Sequence, residues 1–202
     1  MIVIVDYGMG NLRSILNKFE RMEVEAKISS DPAEIERADK LVLPGVGAFD
    51  AAMQNLRQRG LIPVLEKKVL QEKTPIMGIC LGMQLFSKHS EEGNVDGLGW
   101  IDARTIKFRL NGNGLRVPHM GWNSISVDRT WGAMEGLETG SRFYFVHSYH
   151  VCCNDPADRL ATTNYGIDFT SMVQRDNILG VQFHPERSHR YGARLLENFV
   201  RW

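Results

Sequence analysis

The sequence predicts an α/β protein with a mostly parallel central sheet, flanking helices, and antiparallel additions in the C-terminal half. In the first half, short runs rich in Val and Ile alternate with amphipathic stretches, which is typical of βα units and a parallel sheet. In the second half, strand-like runs follow one another through turns, which favours antiparallel neighbours. No linker, internal repeat or low-complexity segment interrupts the 202 residues, so we expect one domain spanning residues 1–202.

The elements of the first half follow from hydrophobic periodicity and from helix-start signals. Asp31 and Pro32 form one such signal, an N-cap followed by proline at the first helical position. Further helices are predicted at Leu12–Met22, Ala48–Gln58 and Leu61–Gln71. Strands are predicted at Ile2–Val5, Val24–Ile28, Lys40–Leu43 and Ile76–Ile79.

The second half is predicted to be mainly β-structure that extends the same sheet. A final helix is expected at Tyr191–Val200. The predicted strands are Trp100–Phe108, Ser124–Val127, Phe143–Val151, Ala161–Asn164, Thr170–Arg175 and Ile178–Phe183.

Composition argues against several classes of function. Basic and acidic residues balance at 24 each, which argues against a broad surface for nucleic acid or for an anionic membrane. No apolar run approaches the roughly 20 residues needed to span a bilayer. The three cysteines include the adjacent pair Cys152 and Cys153, whose geometry disfavours a bridge. We therefore expect a reduced, cytoplasmic protein, and no Cys/His spacing predicts a metal site.

The most informative segment is Gly78-Ile79-Cys80-Leu81-Gly82, between a predicted strand and a predicted helix. A nucleophile between two glycines at these offsets is typical of a tight strand-to-helix turn that exposes the side chain. The helix N-terminus there favours the thiolate of Cys80. The alternative is that Cys80 is a small apolar core residue, which is the common state of an arbitrary cysteine. The two glycines favour the nucleophile.

A cysteine nucleophile needs a base, and that base needs an orienting group. Of the six histidines, only His184 follows a predicted strand and has an acid, Glu186, two residues later. Pro185 stiffens the turn between them, so the carboxylate can fix the imidazole tautomer. The other histidines are expected to be structural or solvated, with His147 and His150 in a pocket or in the core.

A glycine-containing turn ends the third predicted strand. Backbone N–H groups near Gly45 and Gly47 could bind a developing oxyanion together with the N–H of Leu81. An ordinary strand-to-helix connection is the alternative, and it is the better reading of this turn by itself.

Together the three segments resemble the class I (triad) glutamine amidotransferases, whose motifs are P-G-V-G, G-x-C-x-G-x-Q and H-P-E. These motifs correspond here to Pro44–Gly47, Gly78–Gln84 and His184–Glu186, in that order. The resemblance implies a glutaminase-type fold and activity over essentially the whole chain, with L-glutamine as substrate and no cofactor.

Three further segments resemble the amidotransferase subunits of imidazole glycerol phosphate synthases, which act in histidine biosynthesis. They are Asp6–Leu12, Pro118–Asn123 and Tyr144–Tyr149. The resemblance implies a heterodimer in which a cyclase subunit receives ammonia from this chain.

The resemblance also implies roles for individual residues. Cys80 would be the nucleophile, His184 the base and Glu186 its orienter, with an oxyanion hole at Gly47 and Leu81. The residues expected to hold glutamine are Gly45, Gln84, Glu92, His147, Ser148 and Tyr149. The residues expected to face the partner are Asn11, Trp122, Tyr144 and Arg187. Trp122 could instead be a core aromatic residue, and Glu92 a solvated acid.

One position departs from the family pattern. Arg187 follows H-P-E where the family usually has lysine, and a planar guanidinium meets a partner carboxylate differently from an ammonium group. Related subunit pairs aminate sugars of bacterial surface polysaccharides and share most of these motifs. An amidotransferase for such an acceptor and a non-enzymatic regulatory relative therefore remain the two alternatives.

Overall fold

The computed structural model describes residues 1–110 and 114–202. The first half contains the strands β1 Ile2–Val5, β2 Ala26–Ser29, β3 Lys40–Gly45, β4 Ile76–Cys80, β5 His89–Ser90 and β6 Val95–Asp96. It also contains the helices α1 Leu12–Arg21, α2 Pro32–Glu36, α3 Phe49–Gln58, α4 Leu61–Glu66 and α5 Leu81–Leu85. A π-helical turn, Lys67–Gln71, extends α4. Asp31 caps α2, accepting the N–H of Ala33 at 2.9 Å as its sequence predicts.

The second half contains the strands β7 Ala103–Lys107, β8 His119–Ser124, β9 Ser126–Val127, β10 Arg142–His147, β11 Tyr149–Cys153, β12 Arg159–Asn164, β13 Asp168–Arg175 and β14 Ile178–Val181. The helix α6, His189–Arg201, ends the chain.

The main sheet joins a parallel part to an antiparallel part. Its order is β2-β1-β3-β4-β14-β13-β11-β7-β5-β6, and β12 and β9 lie off this path. The pairs from β2 to β14 are parallel, whereas β13 is antiparallel to β14 and to β11. The predicted fold class, a mostly parallel sheet with antiparallel additions in the C-terminal half, is confirmed.

Alternate residues of β1 bury in two cores, one on each face of the sheet. Ile2 and Ile4 pack in the same core as the apolar residues of α1 and α6. Val3 and Val5 pack with those of α2, α3 and α4. Because successive strand residues point to opposite faces, these continuous apolar runs place helices on both sides, as in other parallel sheets.

The carboxyl ends of β3, β4 and β14 meet at one edge, where α/β proteins place their ligand sites. Gly45 at the end of β3 lies opposite Cys80 at the end of β4. Val181, the last residue of β14, lies opposite Ile79. Two chain segments far apart in sequence therefore reach the Cys80 region together.

The prediction of one strand over Phe143–Val151 is wrong. Ser148 interrupts the strand. The residues before it form β10, which pairs with β8 in a separate two-stranded sheet, and the residues after it form β11, which belongs to the main sheet. An aromatic and β-branched run conceals this change of sheet because both halves have high strand propensity.

Other boundaries also differ from the sequence prediction. The strand predicted at Trp100–Phe108 is confined to Ala103–Lys107, and β14 ends at Val181 rather than at Phe183. The pattern missed β8 because Gly121 and Pro118 interrupt that segment. It missed β5 and β6 because strands of two residues have no detectable period. None of the described helices has the length and apolar character needed to cross a membrane.

Candidate active site

Cys80 lies on a strained turn between β4 and α5. Its φ of 55° and ψ of −110° are unusual for a residue with a side chain and cost on the order of 1–3 kcal/mol. Gly82 makes the turn possible, because a Cβ there would lie 1.7 Å from the carbonyl oxygen of Leu43. The side chain of Cys80 is 6% exposed and lines a cavity of about 300 Å³.

The predicted base, His184, and its predicted orienter, Glu186, are neighbours at a short 3₁₀ turn after β14. Nδ1 of His184 and Oε1 of Glu186 are 2.9 Å apart, and both side chains are buried. A carboxylate partner accepts a hydrogen bond from the N–H at Nδ1 and so holds the ring with Nε2 free to exchange a proton with another group. Nε2 has no ordinary hydrogen-bond partner among the described residues.

The sulfur of Cys80 is the second neighbour of the His184 ring. Burial lowers the pKa of His184, but the Cys80 sulfur and the Glu186 carboxylate together raise it to about 10. An imidazolium beside a sulfur atom favours the thiolate. The three residues thus form a Cys-His-Glu arrangement suited to nucleophilic acyl transfer.

Most of the predicted glutamine-binding residues surround the same cavity. Its wall includes Gln84, Glu92, His147, Ser148 and Tyr149, together with the proposed oxyanion residues Gly47 and Leu81. Gly45 is buried at the end of β3 and does not line the cavity. The interruption between β10 and β11 at Ser148 places the segment His147–Tyr149 at the cavity wall.

Glu92 is half-buried at the cavity and already has one partner. Its Oε2 accepts the N–H of Phe49 at the start of α3, at 3.0 Å. Burial raises the pKa of Glu92, the Phe49 N–H lowers it, and the Asp50 carboxylate raises it. A carboxylate here suits the ammonium group of an amino acid, because the pairing would offset the cost of burial.

The chain matches the model of the glutamine amidotransferase class-I family over residues 3–202. The chain belongs to this family. An imidazole glycerol phosphate synthase subunit HisH 2 of Methanococcus maripaludis is 53% identical over 100% of this chain and 99% of its own length. A Pseudomonas aeruginosa subunit of the same name is 50% identical over 99% and 98%. The subunit HisH of Bdellovibrio bacteriovorus is 45% identical over 98% of each chain.

Solved structures agree with the fold. The crystal structure of a glutamine amidotransferase superposes with a TM-score of 0.77 at 22% identity, covering 100% of this chain and 98% of the other. PurLQS of Thermotoga maritima superposes with a TM-score of 0.71 at 16% identity, covering 99% and 97%.

Three of the four residues expected to face a partner, two of them exposed and Tyr144 half-buried, form one surface cluster on this amidotransferase. Trp122 is 40% exposed, so the alternative that it is a core residue is wrong. Its ring stacks on His189 with centroids 5.0 Å apart, and Tyr144 meets its edge at 6.1 Å. Arg187 lies over Tyr144 at 5.8 Å. Asn11 is exposed just before α1.

The structure also reveals polar residues that the motifs did not single out. The side chain of Gln182 is fully buried, and its Nε2 lies 3.7 Å from the sulfur of Cys80. His119 contacts His147 through ring nitrogens 3.1 Å apart. The sequence pointed to Gln182 only through its position two residues before His184. Hydrophobic periodicity does not predict which side chains contact each other across two strands. Among the described residues, no cluster of three or more His, Cys, Asp or Glu side chains could hold a metal ion.

Proposed function

We propose that this amidotransferase, acting as one domain over residues 1–202, is the cytoplasmic glutaminase subunit of an imidazole glycerol phosphate synthase. The supporting observation is the joint geometry of Cys80, His184 and Glu186 at a cavity lined by the predicted glutamine-binding residues. The full-length similarity to subunits with that name supports the choice of pathway.

In the proposed mechanism the Cys80 thiolate attacks the side-chain amide carbon of L-glutamine and forms a C–S bond. The oxyanion is stabilised by backbone N–H groups near Gly47 and Leu81. His184 donates its proton to the nitrogen as the C–N bond breaks, which releases ammonia and leaves a thioester. His184 then accepts a proton from water, which attacks the thioester, and glutamate leaves as the C–S bond breaks.

The partner in this proposal is the cyclase subunit, bound at a surface that includes Asn11, Trp122, Tyr144 and Arg187. The exposed Trp122, the half-buried Tyr144 and the exposed Arg187 are residue types that dominate binding energy at interfaces. Ammonia must pass directly to the partner, because the ammonium ion formed in bulk water is not nucleophilic. The whole synthase would convert N'-(phosphoribulosylformimino) aminoimidazole carboxamide ribonucleotide and glutamine to imidazole glycerol phosphate, aminoimidazole carboxamide ribonucleotide and glutamate.

The first prediction concerns the nucleophile. Cys80→Ala in the complex with the cyclase is expected to lower glutamate release by at least about 10⁴-fold, because no other group forms the thioester. Cys152→Ala provides the control, since that exposed thiol lies outside the cavity. Glutamate release by the Cys80 variant at the wild-type rate would contradict the proposal.

A second candidate function is amination of a different acceptor, such as a surface-polysaccharide sugar. Arg187 favours it, because the partner-facing residue after H-P-E is lysine in the histidine-pathway pattern. The two functions are separated by incubating the complex with glutamine and the histidine-pathway ribonucleotide. Formation of imidazole glycerol phosphate supports the first function. Glutamate release without that product supports the second, and a chain that no partner activates supports a regulatory role.

A further inference from the structure

Gln182 brings a buried amide to the sulfur of Cys80. Gln182 directly follows Val181, the last residue of β14. Val181 pairs with Ile79 of the neighbouring parallel strand β4, so Gln182 and Cys80 occupy adjacent positions. The backbone N–H of Gln182 donates to the carbonyl of Ser171 at 2.9 Å, which holds the residue in line with the sheet. The side chain is fully buried and does not line the cavity.

The orientation of the Gln182 amide follows from its neighbours. The amide of Gln84 contacts the carbonyl oxygen of Tyr149 at 2.9 Å, and because a carbonyl only accepts, the contacting atom of Gln84 is the nitrogen Nε2. That nitrogen is also 3.0 Å from Gln182, whose contacting atom must therefore be the acceptor Oε1. The remaining atom of the Gln182 amide, which faces Cys80, is then the donor Nε2.

The Tyr149 carbonyl, at which this series of hydrogen bonds begins, accepts from two donors. The Tyr149 carbonyl accepts a second hydrogen bond from Nδ1 of His147, at 2.8 Å. Burial lowers the pKa of His147 to about 3, so the ring is neutral with its proton on Nδ1. Reversing Gln84 would place its oxygen against the Tyr149 carbonyl oxygen, and reversing Gln182 would place its nitrogen against the nitrogen of Gln84. Either change leaves buried groups unsatisfied.

Besides His184, the sulfur of Cys80 meets two polar groups of opposite character among the described residues. The Val146 carbonyl lies 3.9 Å away and can only accept, so it favours the protonated thiol. The Gln182 N–H at 3.7 Å can only donate, so it favours the thiolate. A hydrogen bond to a charged group is stronger than one to a neutral group, and Gln182 therefore shifts the balance towards the thiolate when the thiol proton moves to His184.

We propose that the side-chain amide of Gln182 is a catalytic hydrogen-bond donor that stabilises the Cys80 thiolate, with its orientation imposed by Gln84. The inference rests on the proposed glutaminase chemistry. It also changes the role of Gln84: both of its N–H groups are used within the protein, which leaves its Oε1 as the atom that can accept from glutamine.

The test is the pH dependence of Cys80 alkylation by iodoacetamide, measured on the full chain by peptide mass spectrometry. Gln182→Glu keeps the size and the acceptor for Gln84 but removes the donor facing the sulfur. The pH midpoint of Cys80 alkylation is expected to rise by about one to two pH units, which corresponds to losing one hydrogen bond to a charged group. Gln182→Met, which removes the donor without adding a charge, is expected to shift the midpoint in the same direction.

Gln174→Glu is the matched control, because Gln174 is also buried but bonds Arg129 and the Asp176 backbone, away from the cavity. Its Cys80 midpoint is expected to equal that of the wild type, and the exposed thiol of Cys152 provides an internal reference in every sample. In the partner complex, Gln182→Glu is expected to lower kcat for glutamine about 10- to 100-fold with KM nearly unchanged.

The outcomes separate this inference from the proposed function. A wild-type midpoint equal to that of Cys152 would overturn both, because no thiolate would be stabilised. A low wild-type midpoint that neither Gln182 variant moves would overturn the role of Gln182 alone. A lower melting temperature with an unchanged midpoint would likewise show that Gln182 only packs the core.

Discussion

His184 and His147 are the same residue type at nearly the same burial, 5% and 6% exposed, yet their pKa values move in opposite directions. The pKa of His184 is raised to about 10 and that of His147 is lowered to about 3. Burial acts on both rings in the same direction, because it disfavours the charged imidazolium.

The hydrogen-bond partners account for the difference. His184 faces the Glu186 carboxylate and the Cys80 sulfur, which stabilise a positive ring and outweigh burial. His147 has a backbone carbonyl, at Tyr149, and the neutral ring of His119 as partners, so burial prevails. Within the candidate active site the protein thus maintains a charged histidine beside Cys80 and a neutral histidine in the cavity wall.

The largest effect is expected from removing the charge that raises the pKa of His184. Glu186→Gln preserves the shape but presents an amide, whose N–H favours the wrong tautomer of the ring. Glutamate release is expected to fall by up to about 10⁴-fold, the size of effect seen when an orienting carboxylate becomes an amide. The control is Glu197→Gln on α6, whose carboxylate pairs with Arg194 at the surface, away from the cavity. Equal rates in the two variants would show that the partner of His184 does not set its role.

A smaller effect is expected from the neutral histidine. His147→Phe removes the N–H that donates to the Tyr149 carbonyl, so the segment proposed to bind glutamine is held less firmly. We expect KM for glutamine to rise about tenfold with a smaller change in kcat, and the free energy of unfolding to fall by about 1–3 kcal/mol. His147→Asn can place an amide N–H near the position of Nδ1 and is expected to recover part of both losses. A kcat defect as large as that of Glu186→Gln would remove the distinction between the two rings.

The last prediction concerns stability alone, which is expected to depend on pH with opposite signs for the two histidines. The folded pKa of His147 lies below the unfolded value of about 6.5, so its contribution is complete above that pH and is lost as the pH falls, because the unfolded chain binds the proton. The slope approaches about 1.4 kcal/mol per pH unit. The folded pKa of His184 lies above the unfolded value, so its contribution is complete below about 6.5 and is lost as the pH rises towards 10.

Urea unfolding of the wild type, His147→Phe and His184→Asn from pH 4 to 9.5 would measure both slopes. The acid-side slope is expected to shrink only in the His147 variant, and the alkaline-side slope only in the His184 variant. Identical pH profiles for all three proteins would contradict the assigned directions.

Local patterns predicted the elements that carry the chemistry. The run from Ile76 into Cys80 forms a strand that ends at a strained turn. Elsewhere in the chain, Asp31 caps α2, as its sequence predicts. Such features depend on residues within a few positions of one another, so hydrophobic period and glycine spacing are enough to detect them. The interruption of the strand at Ser148 was missed, because strand propensity does not reveal which sheet a strand joins.

The sequence by itself determined the fold class, the Cys80 turn and the adjacency of His184 and Glu186, because each depends on local conformation or on periodic burial. Only the tertiary structure decided that Gln182 reaches the sulfur, that Gln84 imposes its orientation, and that His147 is neutral while His184 is charged. Those properties depend on which atoms meet across strands distant in sequence, and hydrogen-bond direction and pKa follow from such contacts rather than from residue type.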